Sequence, residues 1–251
     1  FYNRQNFVVA TKPFHTLRYI AYEHFIKIDK SPLKTSSQRS LDAVFTPYPS
    51  LPSNNIDNHI DHALICHPDL KVELKSCAKQ LELENLLTFY TDGSVQHIGT
   101  IHSISGYGWT QVQPLTPRVN FSGSTVFFPS SSKSESMGIL TALIVSPFNC
   151  KINVYTDSAN CITIFNTRMQ SGVASPRQKL KQSNFLIWDL IFFLIEEKQL
   201  LVTLYKVSGH SNNPYNDEAD LLAKAGAHFV EPIIVNHKFF VKQSLGFISW
   251  N

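Results

Sequence analysis

The segment Thr88-Phe89-Tyr90-Thr91-Asp92-Gly93-Ser94, led in by Leu86 and Leu87, is rich in β-branched and aromatic residues and breaks at an acid and a glycine. That composition predicts a buried strand ending at Asp92. The same grammar returns at Ile152-Asn153-Val154-Tyr155-Thr156-Asp157-Ser158. Each strand would carry a carboxylate at its C-terminal end, the rim where open α/β sheets bind ligands. Were the two strands neighbours, two carboxylates would meet there. Like charges at short range repel unless a cation sits between them. The doubled Tyr-Thr-Asp therefore predicts a sheet with two central strands and a rim where further acids matter.

The remaining elements fit around that pair. Gly106–Val112 alternates as a second strand, with two glycines where backbones can approach closely. Arg118–Phe128 reads as a third, and the short connections predict an antiparallel meander. Ser130–Ser134 offers N-caps for a helix over Glu135–Val145, which Pro147 ends. Lys151–Thr156 is then a fourth strand, reached from a helix and so parallel through a right-handed crossover. Helices follow at Ser158–Met169 and Phe185–Glu197, a fifth strand at Leu200–Val207 and a last helix at Asn216–Ala227. This order predicts an α/β fold (mixed α+β): a five-stranded mixed sheet with helices on both faces. Upstream, residues 31–55 are rich in Ser, Pro and Thr and read as a connector. Residues 56–86 are weakly patterned and read as the tail of an upstream domain. The expected organisation is an N-terminal extension over 1–80, a domain over 84–228 and a C-terminal extension over 229–251.

Composition excludes little. The formal net charge of +3 permits a polyanionic partner without arguing for one. The most apolar run, Phe185–Ile195, is about half the roughly 20 residues a membrane span needs, and Trp188 and Asp189 interrupt it. Cys66, Cys77, Cys150 and Cys161 lack close pairing, which predicts reduced thiols in an intracellular protein of the nucleus or cytoplasm. His59, His62, Cys66, His67 and Cys77 match no zinc-finger spacing.

Two more acids fall at suggestive places. Glu135 opens the first predicted helix. Asp220 lies in Gly209-His210-Ser211-Asn212-Asn213-Pro214-Tyr215-Asn216-Asp217-Glu218-Ala219-Asp220-Leu221-Leu222-Ala223. Taken in order, Tyr-Thr-Asp-Gly-Ser at Asp92, Ser-Ser-Lys-Ser-Glu at Glu135, Tyr-Thr-Asp-Ser at Asp157 and this last segment closely resemble the type 1 ribonuclease H family. The resemblance covers Leu86–Gly226. It implies a metal-dependent endonuclease that hydrolyses the RNA strand of an RNA–DNA hybrid. It implies that Asp92, Glu135, Asp157 and Asp220 bind two Mg²⁺ ions, for which Mn²⁺ can substitute, and that His210 assists proton transfer or product release. The chemistry suits the residues: hard divalent cations take oxygen ligands, and a pair of them can activate water and stabilise a leaving oxygen.

Substrate contacts are expected from Gly93, Ser94, Ser131, Ser132, Lys133 and Asn160. Where the family often carries Thr or Asn followed by Arg, this chain has Ser132 and Lys133; lysine neutralises a phosphate but makes no bidentate fork. Arg177, Lys179 and Lys181 could meet a DNA backbone or simply form a solvated face. Two rival readings share the fold: a catalytically degenerate nucleic-acid-binding module, and an integrase or exonuclease. The flanks, and the absence of a leading Met, resemble a piece of a retroelement polyprotein.

Overall fold

The structure, a computed structural model, describes residues 55–100, 102–113, 118–170, 182–209, 213–236 and 239. His210 and the Arg177–Lys181 cluster lie outside the described residues. The long meander consists of β2 (Leu86–Gln96), β3 (Ile104–Gln113) and β4 (Asn120–Thr125), following β1 (Leu64–Ile65) earlier in the chain. β5 (Lys151–Thr156) and β6 (Leu201–Lys206) complete the main sheet in the order β4-β3-β2-β5-β6. β2, β3 and β4 pair antiparallel, while β5 runs parallel to both β2 and β6. This is an RNase H-like α/β fold.

Strand boundaries shift from the sequence expectation by a few residues, and two of the shifts have a clear physical reason. β2 does not end at Asp92 but runs on to Gln96, because its pairing with β3 continues to Gln96↔Ile104. Its pairing with β5 stops at Thr91↔Thr156. Asp92 therefore sits inside β2 at the point where one neighbour falls away. β4 ends before Phe127 and Phe128, whose φ values of 59° and 53° are left-handed and incompatible with a strand.

α3 (Ser131–Val145) is the central helix. Every residue from Ser134 to Val145 is buried, as expected of a helix apolar on all sides. It packs on one face of the sheet, where Trp109 Nε1 donates to Thr141 Oγ1 at 3.1 Å. Its C-terminal carbonyls, at Leu143 and Ile144, each accept from the buried Lys198 Nζ at 3.0 Å, a helix-end use of lysine. Beside it pack α4 (Ala159–Gln170) and α5 (Phe185–Glu197), the latter burying Ile187, Trp188, Leu190, Ile191 and Leu194. Asp189 is buried in that apolar helix and pairs with Arg168 at 2.6 Å, as a buried charge must. None of the described helices is long and apolar enough to cross a membrane.

On the other face lies α6 (Pro214–Gly226), entered through Asn213, whose side chain accepts from Tyr215 N and Asn216 N. It reaches the sheet because β3 offers glycines there. A Cβ on Gly106 would stand 2.1 Å from Ala227 N, and one on Gly108 2.7 Å from Ala223 N.

Residues 56–81, within the stretch read from sequence as weakly patterned and the tail of an upstream domain, fold as α1 (Ile56–Ala63) and α2 (Pro68–Leu81) and contribute Ile60, Ala63, Leu74, Cys77 and Leu81 to the same core. Asn55 caps α1 and His67 caps α2. Between them β1 pairs antiparallel with β7 (Ile234–Val235). The described parts of both flanks thus join one hydrophobic core, Ile233 and Val235 included. His59 is buried against Phe148 and Phe193, and burial pushes its pKa down to about 4.

Candidate active site

The site is built by three elements meeting where β5 ends. Asp92 comes from β2, Asp157 follows β5 directly, and Glu135 lies in the first turns of α3. Because β2 and β5 are parallel neighbours, the two Tyr-Thr-Asp copies align residue for residue, Tyr90↔Tyr155 and Thr91↔Thr156. Their rings stack at 4.7 Å, and Tyr155 stacks on Tyr205 of β6 at 5.0 Å. This cross-strand ladder fixes the strands that present the acids.

Gly93 decides how close α3 can come. A Cβ there would lie 2.4 Å from Glu135 N and 2.8 Å from Ser134 Cβ. Expected from sequence as a substrate contact, Gly93 has a more immediate structural job: its missing side chain lets the helix start rest on the strand beside Asp92. The result is that one carboxylate oxygen each from Asp92, Glu135 and Asp157 lie within 4.8 Å of one another. Among the described residues this is the grouping that could hold a metal ion.

The electrostatics of the trio are those of crowded, dehydrated acids. Burial pushes the Asp92 carboxyl up to about 6, reinforced by Asp157, while the Gly93 N–H, 2.6 Å from Asp92 Oδ1, opposes the shift. Burial raises Glu135 well above the usual carboxylate range, with Asp92 and Asp157 adding to the effect. Thr156 Oγ1 lies 3.4 Å from Glu135 Oε2 as a donor. Negative charges held this close without enough partners of their own favour a compact, multiply charged cation. The all-oxygen donor set fits a hard divalent ion such as Mg²⁺ or Mn²⁺ and lacks the soft ligands of a zinc site.

Asp220 is not in the trio. It lies on α6, on the side of the sheet that Asp92 faces with its partner Gly108, and its Oδ2 accepts from Lys224 Nζ at 2.6 Å. Its charge still raises the Asp92 carboxyl. Gly209, the last described residue before His210, passes close to Asp157: a Cβ there would be 2.9 Å from Asp157 Oδ2.

The polar residues expected around the acids divide. Asn160 Nδ2 donates to Ser132 Oγ at 3.1 Å, tying the first turns of α3 and α4 together beside the trio. Ser131 is exposed at the helix start and Ser94 half-buried on β2 beyond Asp92. Lys133 turns elsewhere: its Nζ donates to Val126 O and, at 2.6 Å, to Phe127 O, and burial lowers its pKa to about 8. It pins the left-handed loop between β4 and α3 instead of standing ready for a phosphate. Lys133→Ala is expected to lower stability by about 1–3 kcal/mol, since two carbonyls lose a charged donor. The salt dependence of hybrid binding should stay unchanged, which a titration at several salt concentrations checks.

Two lysines near the acids escaped the sequence reading. Lys206, at the end of β6, donates to the Asp157 backbone carbonyl. Lys224 could have been found from its spacing, four residues after Asp220 on one helix face.

Adjacent parallel strands and a helix start thus deliver carboxylates to one metal-compatible rim. The chain belongs to the RNase H family, whose sequence model, described as RNase H, matches residues 84–228, and it is of the ribonuclease H class of enzymes. The ribonuclease H of Chlorobium phaeovibrioides is 26% identical over 147 residues, covering 57% of this chain and 95% of that one. The ribonuclease H of Chlorobaculum parvum is likewise 26% identical, over 159 residues, with the same coverage. Among solved structures, LC9-RNase H1, a type 1 RNase H with the type 2 active-site motif, matches with a TM-score of 0.44 at 15% identity, covering 65% of this chain and 85% of that one.

Proposed function

We propose that this domain hydrolyses the RNA strand of RNA–DNA hybrids with two divalent ions, Mg²⁺ or Mn²⁺, held at the acid rim. The observation that carries this reading is the convergence of Asp92, Glu135 and Asp157 oxygens within 4.8 Å in a chain of the RNase H family. Bound divalent ions would supply an activated water and charge stabilisation at the leaving oxygen of an in-line displacement. Asp92, Glu135 and Asp157 would hold the ions, with Asp220 joining them from α6. The buried position of Glu135 and the nearly buried position of Asp92, 6% and 9% exposed, limit the water that competes for the ligands. Ser132 and Asn160, joined across the two helix starts, with Ser131 and Ser94 would meet ribose 2′-hydroxyls, the group that distinguishes RNA from DNA. His210 is assigned to proton transfer, a role suited to a group that titrates near neutrality.

The test is a comparison of substrates. With Mg²⁺, the full chain should cut the labelled RNA strand of a hybrid internally, and leave duplex DNA intact. Cleavage of duplex DNA but not of the hybrid would overturn the substrate assignment. Laddering from single-strand ends would favour an exonuclease, and binding without turnover under any divalent ion would favour a degenerate module.

A further inference from the structure

Asp220 stands apart from the other three acids, and its immediate surroundings give a reason. Lys224, one helical turn further along α6, holds the Asp220 carboxylate through a 2.6 Å hydrogen bond from Nζ to Oδ2. The same ammonium is within electrostatic range of Asp92. The helix carrying both residues lies close against β3, because Gly106 and Gly108 leave room for its backbone there. The pair therefore sits at the rim on the side that Asp92 faces.

We propose that Lys224 is a built-in counter-cation of the acid rim, which neutralises Asp220 when no divalent ion is bound and competes with such an ion for the Asp220 carboxylate. The inference rests on the metal-ion reading of the trio and deepens it. Lys224 is in these terms a positioning residue, acting through Asp220, and it sets the affinity of the rim for divalent ions. The pair is suited to being exchanged. Its side chains are 53% and 30% exposed, and exposed helical ion pairs are weak. A doubly charged ion outcompetes a single ammonium for the same oxygen. After release, the ammonium remains a few ångströms away and opposes the incoming charge. A unit charge at that range in a water-like dielectric weakens divalent binding by about three- to tenfold.

The experiment is calorimetric titration of the metal-free full chain with Mn²⁺ alone, comparing the wild type with Lys224→Ala, Lys224→Gln and Lys224→Arg. Lys224 is exposed and alanine is a good helix former, so the fold should survive, and the glutamine variant preserves most of the aliphatic stem as a check. The expected result is Mn²⁺ binding about three- to tenfold tighter in the alanine and glutamine variants, with the arginine variant close to wild type. Unchanged or weaker binding in both neutral variants overturns the role of Lys224. If wild-type binding is still abolished by Asp92→Asn in that case, the metal-ion reading stands and only the lysine assignment falls. A wild type that binds no Mn²⁺ overturns both.

Discussion

Asp92→Asn is expected to lose hybrid cleavage by roughly a thousandfold while making the metal-free protein more stable. The first effect follows from removing one charge from the set that holds the ions, where electrostatic stabilisation of the transition state is concentrated. The second follows from the crowding of the same set. Asp92 is nearly buried, and its carboxyl is pushed from an ordinary 3.8 to about 6 by burial first and Asp157 second. Such a shift corresponds to a cost of about 2–3 kcal/mol for ionising the group in the folded chain at neutral pH. Asparagine is nearly isosteric, and its oxygen can still accept from the Gly93 N–H that now meets Asp92 Oδ1 at 2.6 Å.

The sign of the pH dependence follows directly. The folded-state pKa of Asp92 is raised, so between pH 3.8 and about 6 the folded chain holds this proton while the unfolded chain has released it. The contribution of Asp92 to stability therefore falls as pH rises through that window and is flat above it. Thermal melts of the metal-free wild type should show that decline, and the Asn variant should lack Asp92's share of it. Added Mg²⁺ should raise the wild-type melting temperature at pH 7 and do much less for the variant. A variant less stable than the wild type without metal would mean that the carboxylates are not strained against one another.

Gly93→Ala should damage stability and catalysis together. The added methyl would lie 2.4 Å from Glu135 N and 2.8 Å from Ser134 C, and backbone atoms cannot swing aside as a side chain can. Overpacking at such a contact costs about 3 kcal/mol. The relief available is for α3 to lift from β2, which carries Glu135 away from Asp92. A displacement of that kind is expected to slow hybrid cleavage by about a hundredfold even where the protein remains folded. Ser94→Ala, one residue on and half-buried, serves as the control for stability alone and should change it by no more than about 0.5 kcal/mol. Equal, mild behaviour of the two variants would show that the helix does not depend on the missing side chain.

The strands were legible because their signals are local. Tyr-Thr-Asp appears twice with β-branched and aromatic leaders, and parallel pairing then places the copies side by side. The glycines of β3 were legible as close approaches, though nothing in the sequence said that α6 would be what approached. Other features depend on distant partners. α1 and α2 do carry apolar residues at helical spacing, Ile56, Ile60 and Ala63 in one and Leu74, Cys77, Ala78 and Leu81 in the other, but interleaved acids, lysines and histidines mask that period, and the β1–β7 pairing that flanks them depends on a distant segment. Lys198 reads as a surface residue, yet it is buried at the end of α3. Asp189 interrupts an apolar helix for a reason that only Arg168 supplies. At the site, residue type pointed to Lys133 as a phosphate contact, but its direction is set by the carbonyls of Val126 and Phe127. Asp220 was legible as an acid near the rim and not as the partner of Lys224, because helical spacing permits that pair without requiring it.

The most direct measurement is anomalous diffraction from crystals of the full chain grown with Mn²⁺. The expected result is anomalous density in coordination contact with the carboxylates of Asp92, Glu135 and Asp157. Manganese bound elsewhere, with those three side chains free of metal at millimolar concentration, would contradict the site.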